Sequence, residues 1–340
     1  MRAMRFYGTG DLRYEDIAAP SAPAPGSALL QVLAAGICGS DIHNFRTGQW
    51  IAQLPVTPGH EFCARILALG DDTASGTPAD FAVGDRVVVD SRAHCGQCDY
   101  CLKGAGNLCR HMGFVGEVCD GGFAEQTVQP LHRLLKVPDD VPDEIAALAE
   151  PLGVALRVLK RLEATPGAPI LIAGGGPIGG LAAVLASEMD QRPVLLIERN
   201  AERAALLQAA TGVIPVALDA EAIKQACGGH EVLFCIEATG SAVVLNQLIG
   251  CVGSGGRIAM VGLFHGDVPI NANALVEREI DLVGCSVFRD EQRIALSLLS
   301  RLAPTLRQLI SAPIGLEQVS SAYEHLQCGE SRTLKTIIKP

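Results

Sequence analysis

Four cysteines, Cys95, Cys98, Cys101 and Cys109, fall within fifteen residues in the pattern C-x2-C-x2-C-x7-C. Gaps of two residues let neighbouring thiolates turn back onto one ion, and a fourth closes a tetrahedron with no open position. Four soft ligands favour zinc or an iron–sulfur centre over harder cations. Such a closed site braces a lobe and does no chemistry itself. A second set of donors comes from three segments: Cys38 in GICGSDIH, His60 and Glu61 in PGHEF, and Glu150 heading EPLGVALR. One thiolate, one imidazole and two carboxylates, each from a segment bounded by Gly or Pro, can hold zinc and still leave a position for water or substrate. A third constellation is Gly174-x-Gly176-x-x-Gly179, with Pro177 and Ile178 in its second gap. There the first glycine allows a tight turn, the second lets the backbone approach a pyrophosphate, and the third lets helix and strand pack closely. The helix N-terminus then presents its amides to the phosphates. Glu198 lies 24 residues beyond Gly174, near the place of an acid that binds ribose hydroxyls. A carboxylate there repels a 2′-phosphate and favours NAD over NADP, whereas Arg199 or Arg203 could pair with such a phosphate.

The segments around these residues differ in texture. Up to about residue 150 the chain reads as short strands (ALLQVLAAG, EFCARILALG, DRVVVD, FAEQTVQP) broken by Gly, Pro and Asp, without helical periodicity. The stretch 71–82 reads as a polar surface loop. From about 152 strands alternate with helices. Ile170–Ala173 precedes the glycine turn, and Ile178, Leu181, Leu185 and Met189 fall near one helical face. VLLI (194–197) follows, then a helix capped by Asn200, VLFCI (232–236), a helix after Ser241, and RIAMVG (257–262). Repeats of this kind predict a parallel sheet with right-handed crossovers. The last segment, 288–340, carries an amphipathic stretch (Ile294, Leu298, Leu299, Leu302) followed by short strands.

The chain has 340 residues, long enough for two cores. A formal charge of −10 argues against a nucleic-acid face. No apolar run reaches the roughly 18 residues that span a bilayer, and the first residues lack the apolar core of an export signal, so a cytoplasmic setting is expected. Seven further cysteines (Cys63, Cys119, Cys227, Cys235, Cys251, Cys285, Cys328) sit mostly among apolar residues and are expected to pack in the core.

Together, PGHEF, the four-cysteine lobe, DGGFAE (120–125), GGGPIGG and the closing KTIIKP resemble the zinc-dependent medium-chain dehydrogenase/reductase family, essentially end to end. GICGSDIH, AEPLGVA and SVFRD (286–290) are most similar to sorbitol and polyol dehydrogenases, whereas Glu150 departs from the Cys of the liver alcohol dehydrogenase branch. The resemblance implies an α/β chain: a GroES-like, β-rich catalytic domain (1–151 and 288–340) and a doubly wound Rossmann coenzyme domain (152–287). It implies two zinc ions per chain. Cys38, His60 and Glu61 would hold the catalytic zinc, with Glu150 either a fourth ligand or the partner of a water on the metal. The four lobe cysteines would hold the structural zinc. Asp41 would fix the His60 tautomer, and Ser40 and His43 would begin and end a proton relay, in part through water. Gly174, Gly176, Pro177, Ile178, Gly179, Glu198 and Arg203 would bind NAD. Arg289 would contact substrate in a pocket lined by residues such as Phe45, Trp50 and Phe114. The lobe departs from its relatives at Asp90–His94, where many have Pro and acidic residues, but its four ligand positions are intact.

The activity implied is reversible NAD-linked oxidation of a secondary alcohol of a polyol to a ketone. A homo-oligomer, tetramer or dimer, is expected, with a small-molecule substrate and neither nucleic acid nor membrane as partner. Three other readings remain open: a sister enzyme acting on threonine, 2,3-butanediol or a sugar acid; a zinc-free reductase of the same fold; and a non-catalytic zinc-ribbon binding or redox-sensing protein.

Overall fold

A computed structural model describes residues 1–70, 80–190, 192–329 and 331–340. Most of the polar loop expected at 71–82 thus lies outside the described residues. Among those described, fourteen strands form two large sheets and a hairpin. The hairpin pairs β1 (Arg2–Gly8) with β2 (Asp11–Asp16). An antiparallel sheet is built from β3 (Ser27–Gly36), β4 (Glu61–Leu69), β5 (Arg86–Val89), β6 (Gln126–Pro130) and β7 (Leu134–Lys136). The strand order of that sheet runs β14-β3-β4-β5-β7 with β6 also on β3, where β14 is Ile337–Ile338 from the far end of the chain. In β3 the alternation expected of a strand with one covered face is visible: Ala28, Leu30 and Val32 are buried while Gln31 is exposed.

The second sheet is parallel throughout: β8 (Ile170–Ala173), β9 (Val194–Ile197), β10 (Ile214–Pro215), β11 (Phe234–Glu237), β12 (Arg257–Met260) and β13 (Asp281–Gly284). The sheet order is β10-β9-β8-β11-β12-β13. This is the 3-2-1-4-5-6 order of the Rossmann sheet, whose switch point lies between β8 and β11. Every residue of β8 is buried, as a central parallel strand covered on both faces requires. The expected cap is present, with Asn200 Oδ1 accepting from Arg203 N at 3.1 Å, and Ser241 also caps the helix that follows it, its Oγ accepting from Val244 N at 3.4 Å.

A continuous core joins the sheets. It includes Ala34, Cys63 and Val88 of the antiparallel sheet, Ile170 and Ile172 of the parallel one, and Leu152, Leu299 and Leu302 from two long helices. The helix Glu291–Leu309 corrects the face read from sequence. Leu299 and Leu302 are buried as expected, but Ile294 is 39% exposed, and the inner stripe instead runs through Ala295, Leu296, Leu306 and Leu309. A rotation of one position separates the two stripes. After this helix the chain makes one more helix, Val319–Gln327, where short strands were expected, and only β14 is a strand. Of the seven cysteines assigned to the core, Cys63 and Cys235 are buried, four are half-buried and Cys328 is exposed.

The corrected stripe has a measurable signature. Leu302→Ala should lower the urea unfolding free energy by about 2–5 kcal/mol, and Ile294→Ala by less than about 1 kcal/mol. Equal losses at both positions would show that the stripe is misplaced.

Candidate active site

Strand pairing assembles the first donors. Gly36 of β3 faces Glu61 of β4, and Ile337 of β14 faces Gly36 from the other side. The chain leaving β3 therefore brings Cys38 next to the chain entering β4 at His60. Cys38, His60 and Glu61 offer donor atoms that all lie within 4.8 Å of one another. Asp41, in the first turn of the helix Gly39–Thr47, ties two of them together. Its Oδ2 accepts from Cys38 N at 2.8 Å, and its Oδ1 lies 3.6 Å from His60 Nδ1. That contact turns His60 Nε2 toward the cleft, where Ser40 Oγ is 3.4 Å away. Burial works against a charged His60, but Asp41 and the Cys38 thiolate outweigh it and hold the imidazole well above its usual range.

Beneath this cluster lies Lys335, a residue of the KTIIKP ending to which the sequence reading gave no role. Its ammonium is fully enclosed. Nζ donates to Glu61 Oε1 at 2.7 Å and to the Ile37 carbonyl at 3.1 Å. Glu61 Oε2 lies 2.7 Å from the same nitrogen yet takes no hydrogen bond, so a buried oxygen keeps a free lone pair beside Cys38 and His60. Gly36 makes room for the pair, since a Cβ there would sit 2.5 Å from Glu61 Oε2 and 3.0 Å from Lys335 Cδ. A soft thiolate, an imidazole oriented through its far nitrogen and an unsatisfied carboxylate oxygen fit a zinc ion.

Glu150 stands apart from that cluster. In the first turn of the helix Ala149–Leu162, its Oε1 accepts from Ser91 Oγ at 2.9 Å, and the residue lines the cleft. Burial pushes its carboxyl up to about 7, with His60 pulling the other way. The geometry brings Cys38, His60 and Glu61 together and leaves Glu150 facing the same space from a second wall. Glu117, another residue unassigned from sequence, lines the cleft as well. It is 5% exposed and accepts from Asn44 Nδ2 at 2.9 Å.

His43 is buried beside the cleft. Its Nε2 is 2.8 Å from the side-chain Oε1 of Gln49, so the tautomer that donates from Nε2 leaves Nδ1 as the acceptor, and its ring stacks on His265 at 5.1 Å and tilts against Trp50 at 4.3 Å. Of the expected pocket residues, Trp50 and Phe114 line the cleft. Phe45 instead packs edge-on against Tyr323 at 5.5 Å. Arg289 is also redirected: Nε donates to the Gly104 carbonyl at 3.2 Å and Nη2 to that of Lys103 at 3.5 Å. The guanidinium holds the cysteine lobe, and Arg289 is not among the residues lining the cleft. Next to it, Val287 lines the cleft with φ at +46°, a conformation that a β-branched residue adopts only under constraint.

The glycine turn follows β8 at the switch point. Gly174 has φ at +97°, and a Cβ on Gly179 would come within 1.8 Å of the Gly174 carbonyl oxygen, so only glycine fits there. Gly176 faces open space, and the helix Pro177–Asp190 begins immediately with Pro in its first position. Glu198 follows β9 and braces the turn. Oε2 accepts from Gly175 N at 2.9 Å, Oε1 from Asn200 N at 2.7 Å, and Arg203 Nη1 lies 3.3 Å away. Arg203 also donates to the Ser331 carbonyl, at 2.6 Å from Nη2. On the other side of the switch point, Glu237 is fully buried and takes Thr239 N at 2.8 Å, which sets Thr239 on the cleft wall.

The four lobe cysteines form a separate cluster. Their sulfurs are 3.5 Å (Cys98–Cys101, Cys95–Cys109), 3.9 Å (Cys98–Cys109) and 4.0 Å (Cys95–Cys101) apart. Tetrahedral zinc, with bonds of about 2.3 Å, places its sulfurs roughly 3.8 Å apart. The donor set fits that ion. Backbone N–H groups of Arg110 and Cys101 pull the Cys98 thiol down to about 6, which eases loss of its proton to a metal.

One cleft of about 860 Å³ runs from Cys38 and His60 to Gly176, Pro177 and Ile178. Residues 24–139 match the alcohol dehydrogenase GroES-like domain, and residues 177–301 match the zinc-binding dehydrogenase domain. An uncharacterized zinc-type alcohol dehydrogenase-like protein of Haemophilus influenzae is 32% identical over 90% of each chain. An L-threonine 3-dehydrogenase of Deinococcus deserti is 29% identical over 91% of each, and a sorbitol dehydrogenase of Bacillus subtilis 29% over 100% of this chain and 97% of its own. Among solved structures, 2R,3R-butanediol dehydrogenase from Bacillus subtilis has a TM-score of 0.88 and 28% identity, covering 100% of this chain and 99% of its own. A zinc-binding dehydrogenase from Sinorhizobium meliloti 1021 bound to NADP has a TM-score of 0.89 at 28% identity and the same coverage.

The Lys335–Glu61 pair yields a test of stability. Lys335→Met should cost about 3 kcal/mol in urea unfolding, because Glu61 is left as a lone buried charge. Adding Glu61→Gln should restore more than half of that loss. Glu61 holds the folded-state pKa of Lys335 above its ordinary 10.5 despite burial. The contribution is therefore complete below that ordinary value and fades only as pH rises through the higher folded one. A wild type that loses stability relative to Lys335→Met at neutral pH would contradict the assignment.

Proposed function

The chain belongs to the zinc-dependent medium-chain dehydrogenase family, and from that membership we propose that it oxidises a secondary alcohol of a polyol to the ketone with NAD. One observation carries the reading: the Cys38–His60–Glu61 cluster and the Gly174–Gly179 turn open into the same cleft. Cys38, His60 and Glu61 would hold the catalytic zinc, with Glu150 on the same cleft as a fourth ligand or the partner of a water, and Cys95, Cys98, Cys101 and Cys109 would hold the structural one. When bound, the catalytic zinc acidifies the substrate hydroxyl and NAD accepts the hydride.

The remaining work falls to side chains of the chain itself. Ser40 Oγ, 3.4 Å from His60 Nε2, is placed to take the hydroxyl proton. His43 presents Nδ1 as an acceptor because Gln49 occupies Nε2, and it passes the proton on, directly or through water. The amides at the start of the helix Pro177–Asp190 receive the pyrophosphate. Glu198 gives the adenosine ribose an acidic neighbour that a 2′-phosphate would meet unfavourably, which supports NAD. Residues 1–151 and 288–340 would serve as the catalytic domain and 152–287 as the coenzyme domain. A cytoplasmic homo-oligomer, tetramer or dimer, is the expected setting by resemblance to polyol dehydrogenases. An L-threonine or butanediol dehydrogenase would share all of these groups, and relatives named for both support keeping that sister activity as the second reading.

Two experiments test the proposal. Steady-state kinetics on polyols, diols, L-threonine and sugar acids should show kcat/KM at least about tenfold higher with NAD than with NADP, and preference for NADP would reverse the role given to Glu198. Cys38→Ser should lower kcat on the order of a thousandfold with urea unfolding unchanged, whereas Cys95→Ser should lower the unfolding midpoint. Full turnover by a zinc-depleted Cys38→Ser enzyme would refute the scheme.

A further inference from the structure

We propose that Glu117 is a specificity-determining residue: its carboxylate receives an O–H or N–H donor of the substrate other than the hydroxyl that is oxidised, so the cleft selects diols, polyols or amino alcohols over simple monoalcohols. The inference rests on the dehydrogenase reading and narrows its substrate class.

Glu117 is held as a fixed acceptor. Asn44, itself 5% exposed, donates Nδ2 to one carboxylate oxygen at 2.9 Å and accepts Trp50 N on Oδ1 at 3.2 Å. The Glu117 carbonyl receives Ala52 N at 3.1 Å, and Glu117 N donates to the Phe114 carbonyl at 3.0 Å. The turn below it is clasped to the segment that carries His60. Gly116 has φ at +85°, and a Cβ there would lie 2.8 Å from Gly59 N. Gly122 N donates to the Gly59 carbonyl at 2.8 Å. The backbone that carries Glu117 is therefore tied to the segment that carries His60, and Asn44 orients the side chain.

Its second oxygen makes no hydrogen bond within the protein and forms no ion pair among the described residues. A carboxylate this buried is costly unless something satisfies it. Glu117 lines the cleft together with His60, Ser40 and Phe114, and its second oxygen is open to that space, where a substrate donor can take the place of water. A carboxylate accepts and, when ionised, cannot donate. What it recognises is a hydroxyl or ammonium hydrogen, whereas a substrate carboxylate offers it no donor. Arg46, exposed on the cleft lining, would favour an acid instead.

The test compares 2-butanol, 2,3-butanediol, L-threonine and lactate with the zinc-loaded enzyme. Wild type should prefer butanediol or L-threonine to 2-butanol and lactate, and the preferred member says whether a hydroxyl or an ammonium is read. In Glu117→Gln the ratio of kcat/KM for that substrate over 2-butanol should fall at least about tenfold, chiefly through KM. Asn44→Ala, which leaves the carboxylate but frees it, should shift the ratio the same way by a smaller factor. Unchanged NADH affinity would report an intact fold in both variants. An unchanged ratio in Glu117→Gln, or lactate as the best substrate, would overturn the proposal while leaving the dehydrogenase reading intact. Failure of wild type on all four and on sorbitol and xylitol, with either cofactor, would overturn both.

Discussion

A buried ammonium holds the centre of this molecule. Lys335 reaches from the chain end to the Ile37 carbonyl and the Glu61 carboxylate, and so fastens three strand ends at once: the exit of β3, the entry of β4 and the approach to β14. A buried pair of this kind adds little net stability compared with apolar packing, but it is intolerant of losing one partner. That intolerance fixes register. A slip of one residue between β3 and β4 would move Glu61 to the opposite face of the sheet and separate Cys38 from His60.

Around that point the two sheets divide the proposed work. The antiparallel sheet presents thiolate, imidazole and carboxylates at one end, and the parallel sheet presents the glycine turn at its switch point. The cleft forms because the helix beginning at Ala149 is shared. Its first turn offers Glu150 to the cleft, while Leu152 and Leu156 sit in the core that joins both sheets. Rigid placement of the donors thus comes from packing that extends well beyond them.

The sequence was most legible where the structure is local. The four-cysteine spacing, the glycine turn and the cap at Asn200 each involve a few consecutive residues, and the structure clusters the cysteines, places the turn after β8 and caps the helix at Asn200. Contacts made across long stretches of chain left no mark of their own. Lys335 meets Glu61 across 274 residues, Glu117 meets Asn44 across 73, and Arg289 meets Gly104 across 185. Arg289 was read from its motif as facing substrate, but its neighbours turn it toward the cysteine lobe. Ile294 failed for another reason: apolar residues occur on both flanks of that helix, and periodicity alone did not separate them. The helix Val319–Gln327 buries only Val319 and Tyr323, too few positions to reveal a period.

The lobe is stitched to the segment after β13. Asn107 donates to the Ser286 carbonyl at 3.1 Å, Arg289 holds Gly104, and Arg92 donates to the Phe288 carbonyl at 2.8 Å. Val287, with its left-handed backbone, lies between these ties. A conformation of that kind costs on the order of 1–3 kcal/mol and persists only where its surroundings impose it. Lobe and cleft wall are thus joined by backbone-carbonyl contacts on either side of Val287. The lobe thereby helps impose on Val287 the backbone that shapes the cleft wall, so a surface feature reaches the interior through its hydrogen bonds as well as through its own ligands.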